Sequence, residues 1–470
     1  MPKPELHVVI VGAGLGGLAA AIAVTKAGHR VTVLEQAPVL GEIGAGIQIP
    51  PNSSRLLKRW GLLEKIEKVS VRPRDFLLRS YRDGAVLSAQ NMLPYAIETY
   101  GVPYLHIHRA DYHRILVDAA KEVGVDIRLG CAVRRIDFEK PAVYIRRPDS
   151  YPPAAPSSSS SNQPPQATEE EVRASLVIGA DGLKSICREA LLGHADPPHL
   201  TGDLAYRIVV RAADMSSHPL LQPLVEKPAI NYWMGPSAHA VCYLLQGGGL
   251  YNIVLICPDN LPEMVNTAKA DLEEMRALFE GWDPRLKALL GIVQETSKWR
   301  LQNSEEMRSW SHPAGRFSLL GDACHATLPY LAQGAAMAIE DAAVLGALLA
   351  RLSDPAQLPD VLTLYESLRK PRTTRIVKGS TALRDVFHMP DGARQRERDR
   401  QLVEAHDKPF EGFPNRWRDP VFQPWLFGYD VDAEVDGAWK TYLRGEVPGT
   451  EGAFAGGGAG GSVVVERARM

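Results

Sequence analysis

The stretch HVVIVGAGLGGLAAAIAVTKAGHRVTVLE, His7 to Glu35, sets the architecture. His7–Val11 is a short β-branched run of the kind seen in buried parallel strands. Leu18–Ala27 is Ala-rich and helix-forming, Gly28 ends it, and Arg30–Leu34 is a second strand. Such a strand–helix–strand unit makes a right-handed crossover with both strands parallel in one sheet. Between the first strand and the helix, Gly12-Ala13-Gly14-Leu15-Gly16-Gly17 fits G-x-G-x-x-G. Gly12 makes the turn, Gly14 lets a pyrophosphate approach the backbone, and Gly17 lets helix pack on strand. The free N–H groups and partial positive charge of the helix start face the phosphates. Glu35 closes the second strand, where a carboxylate accepts hydrogen bonds from both ribose hydroxyls of an adenosine. Gly456, Gly458 and Gly461 repeat the spacing with no strand before and no helix after, so that copy is linker-like. The N-terminal copy binds a dinucleotide.

The remaining chain has to fit around that unit. At 470 residues there is length for several domains, and 45% hydrophobic with 23% charged residues is an ordinary globular balance. A formal net charge of -2 gives no global field to hold nucleic acid or an anionic membrane. The five cysteines show neither metal-knuckle spacing nor a disulfide framework, which points to a reducing, cytoplasmic setting and no metal. No uninterrupted apolar run is long enough to span a bilayer, so no membrane partner is expected.

Further along, Tyr151 to Glu171 is a proline- and serine-rich break expected to be a flexible insertion. It separates Ala142–Arg146 from Ser175–Ile178, two apolar runs able to pair as strands. Ile208 to Cys257 alternates strand-like runs with turn residues, as an antiparallel unit does. Ala335–Leu352 is a long helix. Pro359–Thr381 is a second, basic helix, which Pro371 is expected to kink or divide. Arg369, Arg372 and Arg375 make a stripe on it that suits a solvated face, and Arg394–Arg400 is a helical surface. Trp417, Trp425, Phe427 and Tyr429 are expected to pack the C-terminal region onto the core.

Two more segments place an aspartate beside a glycine after an apolar run: Gly179-Ala180-Asp181-Gly182 and Gly321-Asp322-Ala323-Cys324-His325. An aspartate at the second suits polyol hydroxyls, with the following helix start facing a pyrophosphate or a flavin carbonyl. With LEQAPVLGEIGAGIQIPPN (Leu34–Asn52), HRADYHRIL (His108–Leu116), GADGLKSICR (Gly179–Arg188), GDACHATLPYLAQGAAMAIEDA (Gly321–Ala342) and YESLRKPR (Tyr365–Arg372), the chain resembles the single-component FAD-dependent aromatic hydroxylases. It is most similar to their fungal salicylate-hydroxylase-like branch, which works in secondary metabolism.

That resemblance implies an α/β fold: a dinucleotide-binding, Rossmann-like FAD domain (1–200 and 300–385, with a flexible insertion at 148–171) interleaved with an antiparallel-sheet substrate domain (201–299). A C-terminal helical region (386–445) and a disordered tail (446–470) follow. It also implies that Gly12, Gly14, Gly17 and Glu35 hold the ADP part of FAD. Gln48 lies along the flavin by its backbone, and Arg109 reaches the pyrophosphate region. Asp181 serves FAD and the nicotinamide cofactor, Asp322 binds the ribityl chain, and Ala335 contacts the isoalloxazine end. The implied chemistry uses NAD(P)H to reduce FAD, and a flavin hydroperoxide formed with O2 then oxygenates an electron-rich ring. Because a phenol is far more nucleophilic once deprotonated, the site should stabilise a phenolate. Arg207 and Tyr243 match the Arg and Tyr that anchor phenolates in related fungal enzymes; sheet-surface and core roles are the plainer readings. His239 shares a face with Tyr243 if that run is a strand, although a structural histidine is the simpler account. His325 is placed near the cofactor. Alkene epoxidation is the alternative reaction, a non-catalytic flavin binder the alternative class, and monomer or homodimer the expected assembly.

Overall fold

The computed structural model describes residues 3–41, 44–146, 169–404 and 414–446. Nearly all of the proline- and serine-rich insertion, and the Gly-rich C-terminus from residue 447 on, lie outside the described residues.

The N-terminal unit folds as its sequence dictates. Strands His7–Val11 and Arg30–Leu34 pair in parallel around helix Leu15–Lys26, within a five-stranded sheet completed by Leu176–Gly179, Phe317–Leu319 and Asp126–Arg128. The helix packs on Gly334–Leu349, where Gly346 faces Ala23 so closely that a Cβ would sit 2.8 Å from the Ala23 Cβ. Ala-rich sequence on the first helix and glycine on the second allow that approach.

A second, eight-stranded sheet carries the antiparallel unit. Its strands run Thr267–Lys269, Ser297–Asn303, His199–Arg211, Leu250–Pro258, Ala238–Leu245, Ala229–Gly235, Asp75–Ser80 and Val86–Asn91 in spatial order. Pairing is antiparallel except between Ala229–Gly235 and Asp75–Ser80, which run in parallel.

Three expectations change. Ala142–Arg146 does not pair with the run ending at Ile178: it pairs with Glu170–Arg173, while Leu176–Gly179 adds to the first sheet beside His7–Val11. Pro371 does not divide its helix, which runs unbroken from Leu358 to Phe387. The missing N–H leaves one backbone bond unmade, and packing along the thirty-residue helix outweighs that local cost. The arginine stripe is not a solvated face either. Arg369 is fully buried and Arg372 nearly so, paired with Glu340 and Asp341 of the neighbouring helix, while Arg375 lies exposed with its guanidinium over Trp425. Within the basic Arg394–Arg400 segment, Arg398 is likewise buried.

The C-terminal region packs back as expected. Trp417 stacks on Phe76, ring centroids 4.3 Å apart, and Arg372 donates to the carbonyls of Trp425 and Leu426. Among the described residues no helix is long and apolar enough to cross a membrane.

Candidate active site

The glycine turn forms one end of a groove between the two sheets. Gly12 has φ +102°, and a Cβ there would lie 2.5 Å from the Ala180 carbonyl oxygen. A Cβ on Gly17 would lie 2.0 Å from the Gly12 oxygen. Both glycines are thus required by the fold itself. Gly14 differs: a Cβ there meets no atom of the described residues within 4 Å, and its backbone lines the groove. Among the described residues no side chain caps the helix that begins after it, so its first N–H groups face the groove.

Glu35 accepts from the backbone N–H of Ala13 and of Ala37, each at 2.8 Å. This fixes the carboxylate at the rim, and a carboxylate has lone pairs beyond those two bonds. Asp181 accepts from the Ser185 hydroxyl at 2.5 Å and from the Cys187 N–H at 3.0 Å. Burial raises its carboxyl above the usual range, against those hydrogen bonds. Gly12, Gly14, Glu35 and Asp181 border a cavity of about 190 Å³.

Beyond Gly14 the groove widens to about 330 Å³, bordered by Gln48, Arg109, Asp322 and Ala335. Gln48 accepts from the Tyr104 hydroxyl at 2.5 Å. Arg109 opens the helix Arg109–Glu122, its N–H donating to the Ala45 carbonyl at 3.0 Å. Asp322 stands exposed to the groove, and the protein around it raises its carboxyl while His325 and Arg109 pull the other way. A glycine cradle, an uncapped helix start, a rim carboxylate and a second carboxylate beyond them suit a long diphosphate cofactor with sugar or polyol at each side.

The roof of the wide end is one face of the eight-stranded sheet, and its register explains which residues meet. Ala205 lies opposite Ile256 and Arg207 opposite Val254; His239 lies opposite Ile256 and Val241 opposite Val254. Tyr232 lies opposite Val241 on the next strand. Period-two alternation therefore brings Arg207, Tyr232, His239 and Tyr243 to one face, and all four border the cavity. Arg207 is exposed there, its guanidinium 5.2 Å from the Trp299 ring centroid, and has no carboxylate partner among the described residues. The protein around its place in the cavity and Arg109 lower its pKa, and Tyr243 opposes them. Burial raises the Tyr243 hydroxyl and Arg207 draws it back.

His325 lies away from that roof, its Nε2 2.6 Å from Asp341 Oδ2 in a buried pair. Tyr232 escaped the reading of the sequence, and the loop from Thr327 to Gly334, part of the Gly321–Ala342 stretch quoted for the resemblance, was given no site role although it borders the cavity. In that loop Ala332 takes φ +54°, a conformation costly for a non-glycine residue and kept where surrounding structure enforces it. No sequence signal marks a non-glycine residue in that region.

The model of the FAD binding domain family matches residues 5–380. The FAD-dependent monooxygenase OpS4 of Beauveria bassiana is 43% identical over 93% of this chain and 98% of its own length. The 3-hydroxybenzoate 6-hydroxylase of Polaromonas naphthalenivorans is 33% identical over 91% and 97%. A solved salicylate hydroxylase substrate complex shares the fold, with a TM-score of 0.71 at 23% identity over 92% of this chain and 97% of its own. The groove, its glycine turn and these relatives together make the chain a member of the FAD binding domain family, a flavoprotein of the aromatic-hydroxylase type whose cofactor is FAD.

Proposed function

We propose that the protein uses NAD(P)H and O2 to hydroxylate a phenolic or similarly electron-rich aromatic ring. The observation that carries this reading is Arg207: a guanidinium open to the cavity, unpaired among the described residues, beside Tyr243 and an aliphatic wall. A fixed cation next to a ring-sized apolar space favours ionisation of a phenol bound there, because the charge stabilises phenolate more than phenol. Relatives named for 3-hydroxybenzoate and 3-amino-4-hydroxybenzoate support aromatic acids as the first compounds to try.

Gly12, Gly14, Glu35, Arg109, Asp181, Asp322 and Ala335 would hold FAD, with Gly17 keeping the cradle closed from behind. Bound FAD supplies the redox and oxygen chemistry. The chain's own part is to orient the ring and to hold its negative charge through Arg207, with Tyr243 positioned to donate to the same oxygen. Ala205, Val241, Val254 and Ile256 exclude water from the reacting space. His239, on the same face, is the candidate acceptor for the phenolic proton.

The test is oxidation of NADPH and NADH by purified holoenzyme with salicylate, 3-hydroxybenzoate, 3-amino-4-hydroxybenzoate and neutral phenols, measuring peroxide and oxygenated product together. Phenol-stimulated oxidation coupled to product supports the reading. Oxygenation of an alkene with every phenol inert would sink it in favour of epoxidation.

A further inference from the structure

His239 is fully buried, and its Nδ1 lies 2.7 Å from Nε2 of His388. Its other nitrogen, Nε2, is buried with no hydrogen-bond partner among the described residues. Left so, a buried polar atom keeps its desolvation cost uncompensated, a cost accounted for if something binds there. His388 is the residue that ends the long helix Leu358–Phe387, and it is only partly buried. The pair therefore joins a cavity-lining ring to the protein surface.

We propose that His388 is a positioning and relay residue that carries the phenolic proton from His239 to solvent. This rests on the hydroxylase reading above. The phenol O–H bond breaks and its proton bonds to His239 Nε2. The proton on His239 Nδ1 passes to His388 Nε2, and the proton on His388 Nδ1 leaves to water. No charge is created on the buried ring: each imidazole exchanges one N–H for the other, and the phenolate stays behind on Arg207. Reversal of the same transfers resets both rings when the product oxygen is reprotonated.

The surroundings favour this over a lone buried base. Burial, with His388 adding, pushes the His239 pKa well down, and burial takes His388 to about 4. Neither ring is an imidazolium at neutral pH, and a stable charge on His239 would be costly. Around His239 stand the rings of Tyr232, Tyr330 and Phe387. Facing His388 are Asp203 and Asp385, which favour its protonation, and Arg384, which opposes it. Asp203 is itself paired with Arg384 and accepts from Tyr330 at 2.7 Å. The helix C-terminus adds a negative end of its dipole. A passing proton is thus better tolerated at His388 than at His239.

The experiment follows proton release in lightly buffered stopped flow with an indicator dye, as FAD-loaded enzyme binds salicylate, 3-hydroxybenzoate or 3-amino-4-hydroxybenzoate. Wild type is compared with His388→Phe, His388→Ala and His239→Asn, with FAD content and flavin spectrum as controls for folding. Expected is release slowed on the order of tenfold to a hundredfold in His388→Phe, within the range of a lost proton-transfer group. KM should change little, and added imidazole should restore His388→Ala more strongly as pH rises. Release in His388→Phe within about twofold of wild type overturns the relay while leaving the hydroxylase reading intact. So does a loss that imidazole does not restore and that leaves the pH profile unmoved. If no phenol perturbs the wild-type flavin spectrum, the functional reading fails and the relay falls with it.

Discussion

Gly321 and Asp341 are tied together: the Gly321 N–H donates to Asp341 Oδ2 at 3.1 Å, so the turn carrying Asp322 hangs from a buried carboxylate. Asp341 also holds His325 at 2.6 Å and Arg369 at 2.7 Å. Beside it Glu340 receives Asn52 at 2.7 Å and Arg372 at 2.7 and 2.8 Å. Arg369 and Arg372, two of the three arginines that look like a surface stripe, are instead the counter-charges of the helix Gly334–Leu349.

Asp341→Asn should therefore damage both stability and cofactor binding. Burial alone would raise this carboxyl, but His325 and Arg369 outweigh it and hold it below the usual range. Removing its charge leaves Arg369 buried with only Glu340, a loss of about 3–5 kcal/mol for a broken buried pair. Urea unfolding of the apo-protein checks this; an unchanged midpoint would mean the pair contributes nothing net.

Gly14→Ala and Gly17→Ala should separate binding from folding. The Gly17 methyl collides with the Gly12 carbonyl, so that variant should express poorly or melt early. The Gly14 methyl meets no atom of the described residues, so the apo-protein should melt as wild type does while FAD affinity falls by about tenfold or more, roughly one pyrophosphate contact. Thermal melts of apo-protein paired with FAD titration decide it, and equal FAD affinity in Gly14→Ala would remove that residue from the cradle.

Arg207→Gln should leave FAD content and the flavin spectrum unchanged and lower kcat/KM for phenols by about 100-fold, the scale of one charge-stabilising group. Tyr243→Phe should cost less, about tenfold, because it removes one neutral hydrogen bond. Steady-state kinetics over the phenol panel measures both. Full activity in Arg207→Gln would assign that residue to the sheet surface instead.

Stability should fall on acidification well before the carboxylates titrate. Burial lowers His388 to about 4 and His106 to about 3, from an ordinary 6.5. Between those values and 6.5 the unfolded chain binds protons that the native protein does not, so native stability declines as pH drops from about 6.5 toward 4. Below the ordinary carboxylate range, Glu340 and Asp341, both held low in the native state, add a further loss. Urea midpoints at pH 7.5, 6.0 and 5.0 measure the slope, and a flat profile down to pH 5 contradicts neutral buried histidines.

What lies within one strand–turn–helix unit could be placed from the chain alone. Gly12, Gly14, Gly17 and Glu35 are legible because their spacing is set by one strand, one turn and one helix, all within thirty residues. Asp181 and Asp322 are legible for the same reason, each at the end of its own strand. Whatever depends on which strands become neighbours came only with the packed fold. Arg207, Tyr232, His239 and Tyr243 come from three strands, and only the register across them sets the four on one face. The burial of Arg369 and Arg372 was equally out of reach, since a basic helix face looks solvated until a second helix brings Glu340 and Asp341 against it. Spacing along a chain reports contacts made within one element; charge pairs and cavities between elements follow from packing, which no single segment encodes.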